Sequence, residues 1–253
     1  MSAGSLSSRR GAFETLRVYR GTPFAWTRHV ARLDAGARAL GITAPDPRRL
    51  REGVDAVLHA EGLTEARVRM TVVEGTAAAA PDLIVGAGPL VLPPGPAGVV
   101  TAAWPRNERA AIVGLKSTAY ADNVRAFADA RRAGSDEAVF ANTRGELCEA
   151  TGSNVFVVDD GVVRTPPASS GCLPGITREL VIGLARADGM VVEEVALPIA
   201  ALGAAEEAFL TSTTREVMAI GRVDGRPRPG APGPVTARLA ELYAALVAGD
   251  PDP

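Results

Sequence analysis

Lysine is all but missing from this chain: of 27 basic residues, Lys116 is the only lysine and the others are arginine. Cysteine is nearly as scarce. Cys148 and Cys172 stand in unlike contexts without metal-ligand spacing, so they read as reduced thiols of a cytoplasmic protein, and no metal centre is expected. There is little net charge, 27 basic residues against 29 acidic ones, which gives no reason to expect nucleic acid or an anionic membrane as partner. No apolar run approaches the roughly 18–20 residues of a membrane-spanning helix. The stretch Met1–Arg10 is rich in Ser, Gly and Arg but has no apolar core, so it is not a secretory signal. No internal repeat is visible. The Gly- and Pro-rich stretch 86–98 contains no G-x-G-x-x-G, and Pro89 would spoil a helix start there, which excludes a dinucleotide-binding turn.

The lysine shortage has a reading of its own. Abundant Arg, Ala, Gly and Pro fit a genome biased toward GC-rich codons, in which surface lysines drift to arginine. Arginine keeps the charge but stays protonated and cannot form an imine. A single surviving lysine therefore points to a primary amine needed for chemistry, with chance survival on a solvated face as the alternative.

What is present is a globular composition, 47% hydrophobic and 22% charged, in a chain long enough to bury a substantial core. Period-two alternation marks a strand at Phe13–Tyr19, turned by Arg20-Gly21 into Pro23–Trp26. Thr27 is expected to cap a helix with an apolar stripe of Val30, Leu33, Ala37 and Leu40, ending at Gly41. A second helix is expected over 47–61, strands over 66–73, 82–85 and 99–104, and a loop over 86–98. Beyond, helices are expected over 123–133, 176–186 and 235–247. Strands are expected at 137–141, 147–149, 191–195, 208–210 and 217–223, with a hairpin of 154–158 and 162–165 around Asp160-Gly161. The polar, aperiodic stretch 106–114 reads as a linker between a small domain, 1–105, and a larger one, 115–253. The fold class is mixed α/β.

Several groups could carry chemistry. Lys116, in GLKSTAY, follows the linker and could project into a cleft between the two parts. Glu149, in ELCEATGSN, ends a short strand and is followed by small polar residues. Ile176 and Thr177, in LPGITR, open a helix whose free amides suit a phosphate. Thr213 and Thr214 lie in a hydroxyl-rich run after an apolar strand, and Arg32 could add a guanidinium. An imine-forming amine, an acid for a pyridine nitrogen and donors for a phosphate are what catalysis with pyridoxal phosphate (PLP) requires. Taken singly, each has a plainer reading: a solvated carboxylate, a capped helix, a turn, or a surface pairing of Arg32 with Asp34.

Order and spacing are more specific. FETLRV at Phe13, H-x-x-R-L at His29, KSTAY at Lys116, GELCEATGSNVF at Gly145, TPP at Thr165, LPGITR at Leu173 and TSTTREV at Thr211 together resemble the class IV aminotransferase family of fold-type IV PLP enzymes. The likeness runs over about residues 11–247. It implies a small α/β domain and a larger β-rich one, with PLP in the interdomain cleft. Lys116 would hold the cofactor as an imine and shuttle the substrate's proton, and Glu149 would pair with the pyridine nitrogen. Arg32, Ile176, Thr177 and Thr213 would bind the phosphate, with Tyr120 near the phenolic oxygen. His29 reads as a packed or helix-surface residue and His59 has no role. A homodimer with shared sites is implied. Members carry an N-terminal hairpin before the FET strand, and its two strands are expected to be missing here.

The family spans several reactions. In texture, 104–123 and 145–158 look most like 4-amino-4-deoxychorismate lyases, which release pyruvate and p-aminobenzoate. The alternative is a branched-chain or D-amino-acid aminotransferase acting on an amino acid and a 2-oxo acid, and a non-catalytic PLP-binding paralogue is a third reading. Arg69 resembles the arginine of the family's Y-x-R carboxylate-binding signature, with Arg67 in place of its tyrosine. Two arginines would suit a small-molecule substrate with two carboxylates, such as aminodeoxychorismate, and Thr214 is a further candidate contact. A solvent-facing strand surface is the plain alternative for the arginine pair.

Overall fold

The computed structural model describes residues 9–75, 80–92 and 94–253. The expected absence of a hairpin before Phe13 concerns residues 1–8, which lie outside the described residues. The chain divides into two compact units. The first comprises Met1–Val91, Leu115–Tyr120 and Val247–Pro253, and the second Leu92–Gly114 and Ala121–Leu246. The stretch 106–114 thus counts with the second unit, and Lys116 with the first. The reason is local: Phe13 N donates to Lys116 O at 2.9 Å and Thr118 N to Gly11 O at 2.8 Å.

The first unit is a four-stranded sheet with two helices. Its strands are β1 (Gly11–Tyr19), β2 (Thr22–Pro23), β3 (Ala66–Val73) and β4 (Asp82–Gly88), in the order β2-β1-β3-β4, with α1 (Trp26–Ala39) and α2 (Pro47–Ala60) between β2 and β3. Period two dictates the packing. Ala12, Leu16 and Val18 of β1 and Ala66, Val68, Met70 and Val72 of β3 pack with Leu33 and Ala37 of α1 and Leu50, Val54 and Leu58 of α2. The odd-numbered residues of both strands point to the other face. Arg20 and Gly21 both take positive φ, 49° and 80°, as a two-residue hairpin of type I′ demands.

Three elements of this unit differ from expectation, the first being β2, which ends at Pro23 rather than running to Trp26, where α1 begins. Thr27 does not cap α1: the cap lies two residues earlier, at Ala25 in the left-handed region, with no side-chain cap bond. The Thr27 hydroxyl instead donates to Asp252 at 2.6 Å, so a tertiary partner from the chain's end outcompetes the local one. Strand β4 also continues to Gly88, into the stretch expected to be loop, because its pairing with β3 runs on to Arg67 opposite Gly88.

The second unit is a curled sheet whose strands follow the order β10-β9-β8-β11-β12-β5-β6-β7, with β13 against β12. Its elements are β5 (Ala97–Thr101), α3 (Ala121–Arg132), β6 (Glu137–Ala141), β7 (Leu147–Ala150), β8 (Asn154–Asp159), β9 (Val162–Thr165), α4 (Ile176–Ala187), β10 (Val192–Glu194), α5 (Ala201–Ala204), β11 (Glu207–Ser212), β12 (Glu216–Val223), β13 (Arg226–Pro227) and α6 (Pro234–Gly249). Most neighbours run antiparallel, but β5 lies parallel to both β6 and β12, and β10 parallel to β9. Strand β8 is buried on both faces: Val155 and Val157 join one core, while Phe156 stacks on Phe209 of β11 at 4.8 Å. Among the described residues, no helix is long and apolar enough to cross a membrane, and no group of His, Cys, Asp and Glu could hold a metal ion.

Candidate functional site

In the first unit Lys116 is held like one more rung beside the start of β1. Besides the two backbone bonds given above, Ser117 forms an antiparallel bridge with Ala12. The lysine Nζ lies 4.7 Å from the centroid of the Phe13 ring, and the Arg69 guanidinium carbon 3.6 Å from the same centroid. Tyr120 meets Phe13 edge-on at 5.4 Å. Strand register extends this face, since Thr15 is opposite Arg69 and Arg17 is opposite Arg67. Among the described residues no carboxylate pairs with Arg67 or Arg69; the one side-chain hydrogen bond either makes is a long contact of 3.4 Å from Arg69 to Thr71. The amine of the only lysine, one aromatic ring and three arginines thus share a sheet face.

The opposite face of β1 contains a charge cluster of Glu14, His29 and Arg32, of which the sequence motifs assign a role only to Arg32. Glu14 is fully buried; its Oε1 accepts from Arg32 Nε at 2.6 Å and its Oε2 from Arg32 Nη2 at 2.8 Å. His29, 1% exposed, lies with Nδ1 2.7 Å from Glu14 Oε2. Burial alone would raise the Glu14 carboxyl, but the Arg32 guanidinium and the His29 ring outweigh it and hold the group well below the usual carboxylate range. Burial lowers His29 further than Glu14 raises it, so the ring is neutral and donates from Nδ1 to the ionised carboxylate. Arg32 is therefore oriented by Glu14, not by Asp34, which pairs with Arg38 instead. A signal for this cluster exists in the sequence: Glu14 is a charge at an inward position of β1, and His29 and Arg32 share one face of α1 at i, i+3.

In the second unit Glu149 sits on β7, opposite Phe140. Its Oε2 accepts from Leu173 N at 2.8 Å, and its Oε1 is 3.2 Å from Arg106 Nη2. Arg106 lies over the Phe140 ring at 4.5 Å and donates to Asn123 at 3.0 Å. Asn154 continues the latch, donating to Leu173 O at 2.8 Å. A side chain on Gly175 would run into Asn154 Oδ1, so this loop admits only glycine there. Glu149 and the start of α4 are in this way joined through Leu173. The amides of Ile176, Thr177 and Arg178 precede the first helical bond, from Glu179 N to Gly175 O, and have no acceptor within the helix. The Thr177 side chain is buried, and its hydroxyl has no hydrogen-bond partner among the described residues. Thr213 and Thr214 occupy a three-residue hairpin tip between β11 and β12, closed by the pairing of Ser212 with Glu216.

These donors fit the cofactor expected from the sequence. Three amides and a buried hydroxyl without an acceptor suit a phosphate, an anchored carboxylate suits a protonated ring nitrogen, and the lysine amine suits an aldehyde. Lys116, Arg32 and Tyr120 belong to the first unit, and Glu149, Ile176, Thr177 and Thr213 to the second.

Solved structures of the same shape define the class. A putative 4-amino-4-deoxychorismate lyase from Legionella pneumophila superposes with a TM-score of 0.87 at 26% identity, covering 93% of this chain and 90% of that one. A branched-chain amino acid aminotransferase of T.th., solved with pyridoxamine 5′-phosphate, superposes with a TM-score of 0.85 at 30% identity, covering 94% and 85%. The architecture is that of the fold-type IV enzymes. Residues 11–223 match the family described as Amino-transferase class IV, and the chain belongs to that family of enzymes. A putative branched-chain-amino-acid aminotransferase of Methanocaldococcus jannaschii is 31% identical over 248 residues, 92% of this chain and 85% of that protein. A D-alanine aminotransferase of Listeria monocytogenes is also 31% identical, over 254 residues, with the same coverage.

Proposed function

We propose that this enzyme is a 4-amino-4-deoxychorismate lyase that releases pyruvate and p-aminobenzoate with PLP as cofactor. When bound, PLP supplies an aldehyde for amines and a ring that draws electrons from the carbon bearing the substrate nitrogen. Lys116 would hold that aldehyde and move the proton at that carbon. Glu149, kept in place by Leu173 N and Arg106, would keep the ring nitrogen protonated. Ile176, Thr177, Thr213 and Arg32 would bind the phosphate, and Tyr120 would lie by the phenolic oxygen.

One observation carries the choice of substrate class. Arg17, Arg67 and Arg69 stand on the sheet face of Phe13, and Phe13 lies beneath both Lys116 Nζ and the Arg69 guanidinium. Guanidinium groups recognise carboxylates through paired hydrogen bonds, and aminodeoxychorismate carries two carboxylates. Losing the proton at its amine-bearing ring carbon and expelling its enolpyruvyl ether as pyruvate leaves the aromatic p-aminobenzoate. The second reading, a branched-chain or D-amino-acid aminotransferase, is favoured by what the archaeal and Listeria relatives are called. The assembly in either reading is a cytoplasmic homodimer, which light scattering would check.

The deciding experiment supplies aminodeoxychorismate made in situ and follows both products. Equal release of p-aminobenzoate and pyruvate, abolished in Lys116→Ala, supports the lyase. No release, together with conversion of the cofactor to its pyridoxamine form by an L- or D-amino acid, overturns it in favour of the aminotransferase.

A further inference from the structure

Glu137 opens β6 and is 3% exposed, yet no step described above uses it. Its carboxylate takes four hydrogen bonds. Oε2 accepts from Thr151 Oγ1 at 2.7 Å and from Gly152 N at 2.8 Å. Oε1 accepts from Ser153 Oγ at 2.7 Å and from Arg215 Nε at 3.0 Å. Three of these donors are consecutive residues of the turn that joins β7, with Glu149, to β8. The fourth belongs to the β11–β12 tip, whose other two residues are Thr213 and Thr214. Between β6 and β12 in the sheet lies β5, so the Glu137–Arg215 contact reaches across an intervening strand.

The other contacts of Arg215 are longer. Its backbone N donates to Ser212 Oγ at 3.2 Å, and its guanidinium meets Asp136 O and Met218 Sδ, each at 3.4 Å. The residue after the tip, Glu216, holds a φ of 55°, so the turn is bent into the left-handed region without glycine. A buried carboxylate is costly to leave unpaired, and this one is matched by both an ion pair and three neutral donors. The pairing defines one position for Arg215, and with it one position for the two threonines beside it.

We propose that Glu137 is a positioning residue for phosphate recognition: anchored on Thr151, Gly152 and Ser153, it grips Arg215 and so presents the Thr213-Thr214 tip to the PLP phosphate. This rests on the reading that Thr213 is a phosphate ligand. The Thr151–Ser153 turn is the fixed support and the hairpin tip is the part being placed. Loss of the grip therefore weakens recognition of the phosphate without touching the groups assigned to the ring.

The test compares affinity for PLP with affinity for pyridoxal, which lacks the phosphate, by absorbance titration of the apoprotein, with its thermal unfolding recorded alongside. Thr213→Val tests the underlying reading and is expected to cut the preference for PLP over pyridoxal. Glu137→Gln is expected to weaken PLP at least tenfold and pyridoxal less than threefold. Arg215→Met, which keeps the carboxylate and its anchor, is expected to do the same and covers the case in which Glu137→Gln does not fold. The double variant is expected to be no worse than the stronger single one, because both remove one contact. An equal loss for both ligands, or an unchanged preference in both variants while Thr213→Val lowers it, would overturn the positioning role alone. An unchanged preference in Thr213→Val would overturn the phosphate assignment and the proposal with it.

Discussion

Glu14 and Arg32 are joined by two hydrogen bonds of 2.6 and 2.8 Å, with the carboxylate wholly out of solvent. One strand and one helix are thereby locked at the residue expected to reach the cofactor phosphate. Glu14→Gln leaves Arg32 without its counter-charge in a buried site, and breaking such a pair costs about 3–5 kcal/mol. Urea unfolding should show this loss, accompanied by weaker PLP binding. A variant as stable as the parent would mean that the pair is not what fixes Arg32.

The same cluster sets an acid limit. The Glu14 carboxyl falls from an ordinary 4.5 to about 2 in the fold, so its contribution is complete above about 4.5 and is lost as the pH falls toward 2. His29 is pushed below its ordinary 6.5, chiefly by burial, so the unfolded chain takes up that proton first and acidification below 6.5 also costs stability. Both groups act in the same direction. Unfolding free energy measured from pH 7 down to 2 should fall through both windows, and Glu14→Gln should remove the part lost below about 4.5 while keeping the histidine part above it.

Gly175→Ala should separate folding from cofactor binding. Its new methyl group meets Asn154 Oδ1, and Asn154 is tied to Leu173 O, so the start of α4 must shift. At least tenfold weaker PLP binding, about 1.4 kcal/mol, is expected with the cooperative unfolding transition retained. Unchanged affinity would remove the amides of Ile176 and Thr177 from the phosphate site.

Arg67→Ala and Arg69→Ala test the substrate class. Each should raise KM for a substrate with two carboxylates more than for one with a single carboxylate, by about tenfold for a lost charge-assisted contact. Equal effects on both substrates would make the arginine face a plain strand surface.

Much of the fold is legible in the sequence, because alternation and helical stripes are local. Strand β3 runs over the expected 66–73, and Arg20-Gly21, Asp160-Gly161 and the helix ending at Gly41 take the positive φ values their residues suggest. Tertiary competition is not legible: Thr27 bonds to Asp252, and β4 extends because β3 offers it partners. Among site residues, the motifs single out Lys116 and Glu149. Their supports, Phe13, Arg106, Leu173 N and Asn154, depend on contacts between segments far apart in the chain. Glu14 is a different case, since it stands inside FETLRV. An inward-facing carboxylate must find a cation or several donors, and the His–Arg pair at i, i+3 of the next helix supplies both.

Because Lys116 is the only lysine, one measurement bears on its role most directly. The PLP-loaded protein is treated with borohydride, digested, and its peptides weighed. A single pyridoxyl adduct at residue 116 is expected, with the visible band of the bound cofactor bleached by borohydride and absent from Lys116→Ala. No adduct, or an adduct confined to the N-terminal amine, would contradict the assignment of Lys116 as the cofactor's anchor.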